Sequence, residues 1–217
     1  MDVLKKSARA HIVYKTSDGK RVPGATTITG LLAKPHLVPW ANKLGLEGID
    51  SSKYTDEAAE VGTIAHKMVE CYFTGEKFDN EAYSPRNIEL AENAMISFYD
   101  WAKRHKIKPI HNEFALVSDS MRYGGTLDCL CEIDGDPELL DFKTGKAIYD
   151  DHFVQLSAYR NLAEEAGYKV KRCRILRIGR DETEGCEERT VSDTEKYFQI
   201  FQSLLTVYYT KKELGWR

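Results

Sequence analysis

The sequence predicts a mixed α/β (α+β) domain with a central sheet flanked by helices. Three observations carry this. A capped helical stretch precedes three strand-like runs; a helix and a further strand follow them; and the run "LLDFKTGK" is apolar like a buried strand, yet places Asp141 and Lys143 one residue apart within it. Helix, three strands, helix, strand is the order of a sheet with helices packed on it. A chain of 217 residues, 42% hydrophobic and 30% charged, is long enough to bury a sizeable core. We expect a single domain over 1–217, with an N-terminal elaboration over 1–55, a core over 56–180 and a C-terminal strand and helix over 181–217.

The elements follow in order. "AHIVYKT" and "RVPG" flank Asp18-Gly19 and predict a hairpin. The segment "ATTITGLLAKPHLVPWANKLGLEG" is broken by Pro35 and Pro39. Residues 56–74 predict a helix: acids fill its first turn, Gly75 ends it, and Ala59, Gly62, Ala65, Met68, Val69 and Tyr72 form its apolar stripe. Ser84 as cap and Pro85 behind it open a second helix that runs to about His105. Strands are expected over 110–117, 123–133 and 138–143, the last two joined by a turn in "DGDP". A helix over 150–166 ends at Gly167, "RCRILRIG" is a core strand and "EERTV" a fifth. Ser192 and Glu195 fit a capping box for a last helix that packs through Tyr197, Phe201, Leu204, Leu205 and Tyr208.

Composition narrows the function. No run is long and apolar enough to span a bilayer, and the first ten residues lack the apolar core of a signal peptide, so no membrane association and a cytoplasmic setting (a bacterial or phage-infected host cell) are expected. Five cysteines, odd in number and without a CxxC pair, support neither a zinc ribbon nor a disulfide framework. A net charge of −3 argues mildly against nucleic acid, but local patches matter more. Two basic clusters, Lys103–Lys108 and Lys169–Arg180, read either as solvated faces or as a phosphate-contacting surface.

Strand alternation puts Asp141 and Lys143 on one face, and Asp128 on a face with Leu130 and Glu132, opposite Leu127, Cys129 and Cys131. A tight turn brings Asp128 and Asp141 onto adjacent strands. Two nearby carboxylates are hard oxygen ligands that suit Mg²⁺ or Mn²⁺, and Lys143 beside them is placed to orient water or steady charge on a phosphate oxygen.

The stretch "GGTLDCLCEIDGDPELLDFKTGKAIYDDHFVQLSAY" resembles the PD-(D/E)xK nuclease superfamily, in particular its RecB-like exonuclease branch: a G-x-x-D strand, a D-x-K strand continuing as K-T-G, and a helix with Q-x-x-x-Y. "VGTIAHKMVE" resembles that branch's upstream helix, and "PGATTITGLLAKPHLVPWANK" is similar to the N-terminal segment of phage exonucleases and the mitochondrial genome maintenance exonuclease, with Gly24-Ala25 where Ser-Val is usual. The resemblance spans roughly residues 20–180.

It implies a restriction-endonuclease-like core and a Mg²⁺- or Mn²⁺-dependent DNA exonuclease. Asp128 and Asp141 would be metal ligands and Lys143 the catalytic lysine, with the Phe142 carbonyl and His66 as further ligands. Glu70, one helical turn after His66, is either an orienting partner or a solvated acid; Glu113 matches an acid often seen in this branch. Gln155 and Tyr159 either line the site or pack the helix, and Trp40 and Tyr54 either stack on bases or fill the core. No iron–sulfur cluster is expected, because nothing follows Cys186 to complete the cysteine set. The implied partner is DNA, single-stranded or with free ends, in repair or recombination, with a replication or recombination protein as a further partner. The rival readings are a structure-specific endonuclease of the same superfamily and a catalytically silent DNA-binding module.

Overall fold

The computed structural model describes residues 12–181 and 184–216. The elements are α1 (Ala25–Thr29), α2 (Leu37–Leu46), α3 (Ser51–Thr74), α4 (Pro85–Ala102), β1 (Ile107–Ser118), β2 (Tyr123–Ile133), β3 (Asp136–Lys143), α5 (Asp150–Glu165), β4 (Arg172–Ile178), β5 (Cys186–Val191) and α6 (Glu195–Glu213). The sheet order is β1-β2-β3-β4-β5. β1, β2 and β3 form an antiparallel meander, α5 crosses over to make β4 parallel to β3, and β5 returns antiparallel. This is the mixed sheet flanked by helices that the sequence predicts.

Helices cover both faces. On one, Ala25 and Ile28 of α1, the apolar side of α5 and Phe201 and Leu205 of α6 pack on Leu130, Leu139 and Ile175. On the other, Val61, Ile64, Ala65 and Val69 of α3 and Phe98 and Trp101 of α4 pack on Cys129, Leu140, Phe142 and Leu176. β3 lies between both layers, which is why it reads as a near-continuous apolar run.

Several boundaries differ from expectation, each for a local reason. α3 begins five residues early because the Asp50 carboxylate caps it, accepting from the Ser52 and Lys53 backbone N–H groups. Its buried stripe is also rotated: Ala59 and Tyr72 are exposed while Val61, Ile64 and Cys71 are buried. The β2–β3 turn is Asp134-Gly135, both with positive φ (54° and 91°), so Asp136 and Pro137 already belong to β3. The capping box at Ser192 is absent. Thr194 occupies the cap position without a side-chain bond, and the Asp193 carboxylate accepts from the Glu195 N–H instead. The N-terminal hairpin is present as a Lys15–Arg21 bridge; Ala10 and His11 of its first arm lie outside the described residues.

The first basic cluster is a solvated face, with Lys103, Arg104, Lys106 and Lys108 exposed, whereas the second turns partly inward, with Arg174 and Arg177 buried. Lys103 pairs with Asp100, Lys108 with Glu132, Lys171 and Arg172 with Asp136, Arg174 with Glu138 and Glu188, Arg177 with Glu187 and Arg180 with Glu184. Acids on neighbouring strands pair Lys108, Lys171, Arg172, Arg174 and Arg177, while Lys103 and Arg180 pair locally along the chain.

Candidate active site

The site forms where the β1–β2–β3 ladder opens. β2 pairs with β3 from Ile133 to Cys129 and stops there. Asp128 instead uses its side chain: the Phe142 N–H donates to Asp128 Oδ2 at 2.9 Å. On the other side of β2, Asn112 pairs with Cys129 and Phe114 with Leu127, which leaves Glu113 opposite Asp128. Glu113 has φ 45°, a left-handed conformation that costs a non-glycine residue about 1–3 kcal/mol. The alternation also slips here. Leu127 and Leu130 both join the core on the α5 side, whereas strict alternation would put Leu127 with Cys129 and Cys131.

α3 closes the site from above. Its His66 Nε2 donates to the Phe142 carbonyl at 3.0 Å, and the opposite ring nitrogen, Nδ1, lies 3.5 Å from Asp128 and 4.0 Å from Glu113. Ligand atoms of His66, Glu113 and Asp128 all fall within 4.8 Å of one another. Since Nε2 carries the proton given to the carbonyl, a neutral imidazole turns its Nδ1 lone pair toward two carboxylates. Lone pair and acids then repel unless a proton or a cation lies among them. A carbonyl holding the far nitrogen is also how a ligating imidazole is usually oriented.

Asp141 stands outside that cluster and faces Lys143, whose Nζ is 2.5 Å from Oδ2. Asp141 is 2% exposed, and beyond Lys143 its Oδ2 meets no other donor among the described residues. Burial pushes its pKa up, and this outweighs the attraction of Lys143; Asp128 nearby pushes the same way. Asp128 goes the other way. Burial also opposes its charge, but His66, Lys143 and the Phe142 N–H together hold it well below the usual carboxylate range.

From the α5 face, Gln155 Nε2 donates to the Tyr159 hydroxyl at 2.7 Å. Burial, with Asp141 adding to it, keeps that phenol protonated to well above its ordinary range. The Tyr159 ring lies on Gly125, where any Cβ would sit 2.5 Å from it; Tyr14 likewise fills the space over Gly124. The two glycines of "GGTLD" admit two tyrosine rings.

The structure thus brings together His66, Glu113, Asp128, Asp141, Phe142 and Lys143, with Gln155 and Tyr159 alongside. Glu70 is not among them: it pairs with Lys67 at 2.8 Å. Trp40 and Tyr54 meet edge to face, 5.8 Å apart, and line a separate cavity. Thr144 is a neighbour the sequence reading missed; it packs against Gly62, where a Cβ would be 2.9 Å from Thr144 Oγ1, so α3 can approach the end of β3. The paired signal was the glycine one turn before His66.

The donor set fits a divalent cation. Two carboxylates dominate it, one imidazole joins them, and the buried Asp141 carboxylate, paired with Lys143, adds a third acid to the site. Four of the five cysteines, Cys71, Cys129, Cys131 and Cys173, are buried as free thiols.

No protein-family model matches the chain, and no curated protein matches it. Among solved structures it is similar to a candidate exonuclease from Eubacterium rectale, with 14% identity and a TM-score of 0.47 over 71% of this chain and 65% of that one. It is also similar to an alkaline exonuclease from Laribacter hongkongensis, with 10% identity and a TM-score of 0.41 over 73% of this chain and 86% of that one. The same exonuclease solved with dAMP matches at 12% identity and a TM-score of 0.42.

Proposed function

We propose that this chain is a divalent-cation-dependent deoxyribonuclease that hydrolyses phosphodiester bonds as an exonuclease, using Mg²⁺ or Mn²⁺ and preferring single-stranded ends. One observation carries the reading: three acids, an imidazole and a lysine converge where a sheet ladder opens, and the chain accepts a strained Glu113 and a buried Asp141 carboxylate to achieve it. Unfavourable local geometry of this kind concentrates at functional sites.

In this reading His66, Glu113, Asp128 and Asp141 hold the cation. Bound there, a divalent cation polarises a phosphate oxygen and lowers the pKa of water. The Phe142 N–H keeps Asp128 ionised and aimed, while the Phe142 carbonyl fixes the His66 ring. The Lys143 ammonium, 2.5 Å from Asp141, steadies negative charge that develops on the phosphate. Gln155 donates to the Tyr159 hydroxyl and fixes it on the α5 side of the site.

End-labelled single- and double-stranded oligonucleotides, incubated with Mg²⁺ or Mn²⁺ and with chelator, test the proposal. Linear single strands should shorten progressively only with metal, and covalently closed circles should survive. Circles cut as fast as linear strands would make the enzyme an endonuclease. Tight binding without any cleavage under either metal would leave a DNA-binding module.

A further inference from the structure

α6 carries a surface that its own packing does not explain. Residues 199–210, "QIFQSLLTVYYT", hold no charged side chain, in a chain that is 30% charged. Part of the stretch faces inward: Phe201 and Leu205 are buried in the core beneath α6, and Tyr208 and Tyr209 pack beside them. Seven of the twelve residues are nonetheless exposed. Among them Ile200 and Val207 are 44% and 48% exposed, and Leu214, seven residues further on, is 61% exposed. A spacing of seven keeps side chains on one stripe of a helix. The stripe runs about 21 Å from Ile200 to Leu214.

The polar residues between these apolar ones are turned back on their own helix. Ser203 Oγ donates to the Gln199 carbonyl at 2.9 Å, and Thr206 Oγ1 donates to the Gln202 carbonyl at 3.0 Å. Gln199 Nε2 donates to Glu195 Oε1 at 3.2 Å, and Gln199 Oε1 accepts from Lys196 Nζ at 3.3 Å. Covering the two hydroxyls therefore strands no donor, and the usual cost of desolvating an unpaired polar group does not arise there. Their small side chains also let a second helix come close.

Charge is confined to the two ends and differs in sign between them. Asp193 and Glu195 outnumber Lys196 at the start, and Lys211 and Lys212 outnumber Glu213 at the end. A copy laid antiparallel across a two-fold axis near Ser203 sets the acidic start against the basic end twice. It places Ile200 beside the partner's Val207 and Glu195 beside the partner's Lys212, and it opposes the two helix dipoles. A parallel copy would bring like ends together. A charge-depleted centre with polar, complementary rims is the make-up of a protein interface. A phosphate-bearing partner would meet no cation over these three central turns.

We propose that α6 is a self-association surface, through which two copies of this chain form an antiparallel two-fold dimer about Ser203. One helix pair of this length falls short of the roughly 800 Å² per partner of a standard interface, so the dimer is reversible, with a dissociation constant in the micromolar range. No residue of α6 belongs to the candidate site, and the proposal stands independently of the nuclease reading.

Sedimentation velocity of the full chain, from sub-micromolar to hundreds of micromolar, tests it. The mass should rise with concentration from the 24.8 kDa of one chain to twice that. Ile200→Glu, Val207→Glu and the milder Val207→Ser change exposed side chains, and circular dichroism checks their fold. Each glutamate should weaken association by about tenfold or more, because the symmetry buries the new charge twice, and Val207→Ser should weaken it less. Glu195→Lys or Lys212→Glu alone should weaken it several-fold, and the two together should restore it, since each copy then offers the reversed pair to the other. Wild-type protein that stays monomeric throughout, an assembly larger than a dimer, or a dimer that both glutamate variants leave intact would each overturn the proposal. A double charge reversal that restores nothing of what the single reversals lose would overturn the antiparallel pairing.

Discussion

At Asp141 three effects compete: burial and the proximity of Asp128 oppose its charge, while Lys143 favours it, and burial is the largest. Its Oδ2 meets the Lys143 ammonium at 2.5 Å and no other donor among the described residues, and burial still outweighs that attraction. Asp141→Asn keeps the shape and removes the charge. Lys143, with a fifth of its side chain exposed, can still reach water after the change. The variant should therefore melt higher without metal, since burial and Asp128 no longer oppose a charge there, and should lose metal-dependent cleavage. Equal or lower stability by thermal melting would mean that the Lys143 pair outweighs burial. The acid-x-lysine spacing made Asp141 and Lys143 legible in the sequence. Phe142 entered only as a carbonyl ligand for the metal; that its N–H and carbonyl hold Asp128 and His66 was not legible, because backbone groups leave no signature in residue types. Glu113 was legible only as an acid on a strand, since its positive φ arises from its position opposite Asp128.

At the scale of elements, α3 and the end of β3 meet through a missing side chain. Gly62 lets the helix approach until Thr144 Oγ1 is 2.9 Å from where a Cβ would be, and one turn later His66 reaches the Phe142 carbonyl. In isolation alanine favours a helix over glycine by about 1 kcal/mol. Gly62→Ala should thus cost little stability, yet displace α3 from β3 and lower cleavage by about ten- to a hundredfold, because small misplacements of reacting groups are expensive. Removing the obstructing oxygen should reverse this: Gly62→Ala/Thr144→Ala should recover most of the activity that Gly62→Ala loses. Failure of that rescue, with both proteins folded, would show that the helix is not positioned through this contact. The helices themselves were legible from caps and periodicity, as at Ser84-Pro85 and Gly75. The face of α3 was not. Its early start at Asp50 and the burial of Val61, Ile64 and Cys71 depend on α4 and the sheet, which no local periodicity specifies.

Across the whole molecule the two ends of the sheet are built oppositely. The carboxyl end of β3 holds the strained site, and the amino end holds a dense ion-pair lattice. There Arg172 and Arg174 converge on Glu138, which is fully buried, Arg174 continues to Glu188, and Glu188 accepts from the Trp101 indole N–H at 2.5 Å. Composition reveals the cations but not this arrangement, because Glu138 comes from β3 and Glu188 from β5, and only the register sets them against β4. A pH dependence follows from the flanking carboxyls. Hydrogen bonding to Lys171 lowers Asp136 and bonding to His105 lowers Asp134, while at Glu188 burial raises the pKa but Trp101 and Arg174 outweigh it. A depressed carboxyl binds fewer protons folded than unfolded, so its contribution is full above the unfolded value, near 4, and is lost as pH falls below it. Thermal melting should hold steady from pH 7 to about pH 5 and decline steeply below about pH 4. Glu138 decides whether the lattice or mere packing stabilises this end. Glu138→Ala takes the buried carboxylate from two guanidinium groups, leaving Arg172 to Asp136 and the buried Arg174 to Glu188, and should cost about 3 kcal/mol, the low end for a broken buried pair. Glu138→Leu/Arg174→Met removes the principal buried pair and fills the space with apolar atoms, and should recover much of that loss in urea unfolding. A Glu138→Ala variant as stable as wild type would mean that Arg172 and Arg174 find water or Glu188 without it, and that packing alone holds this end of the sheet.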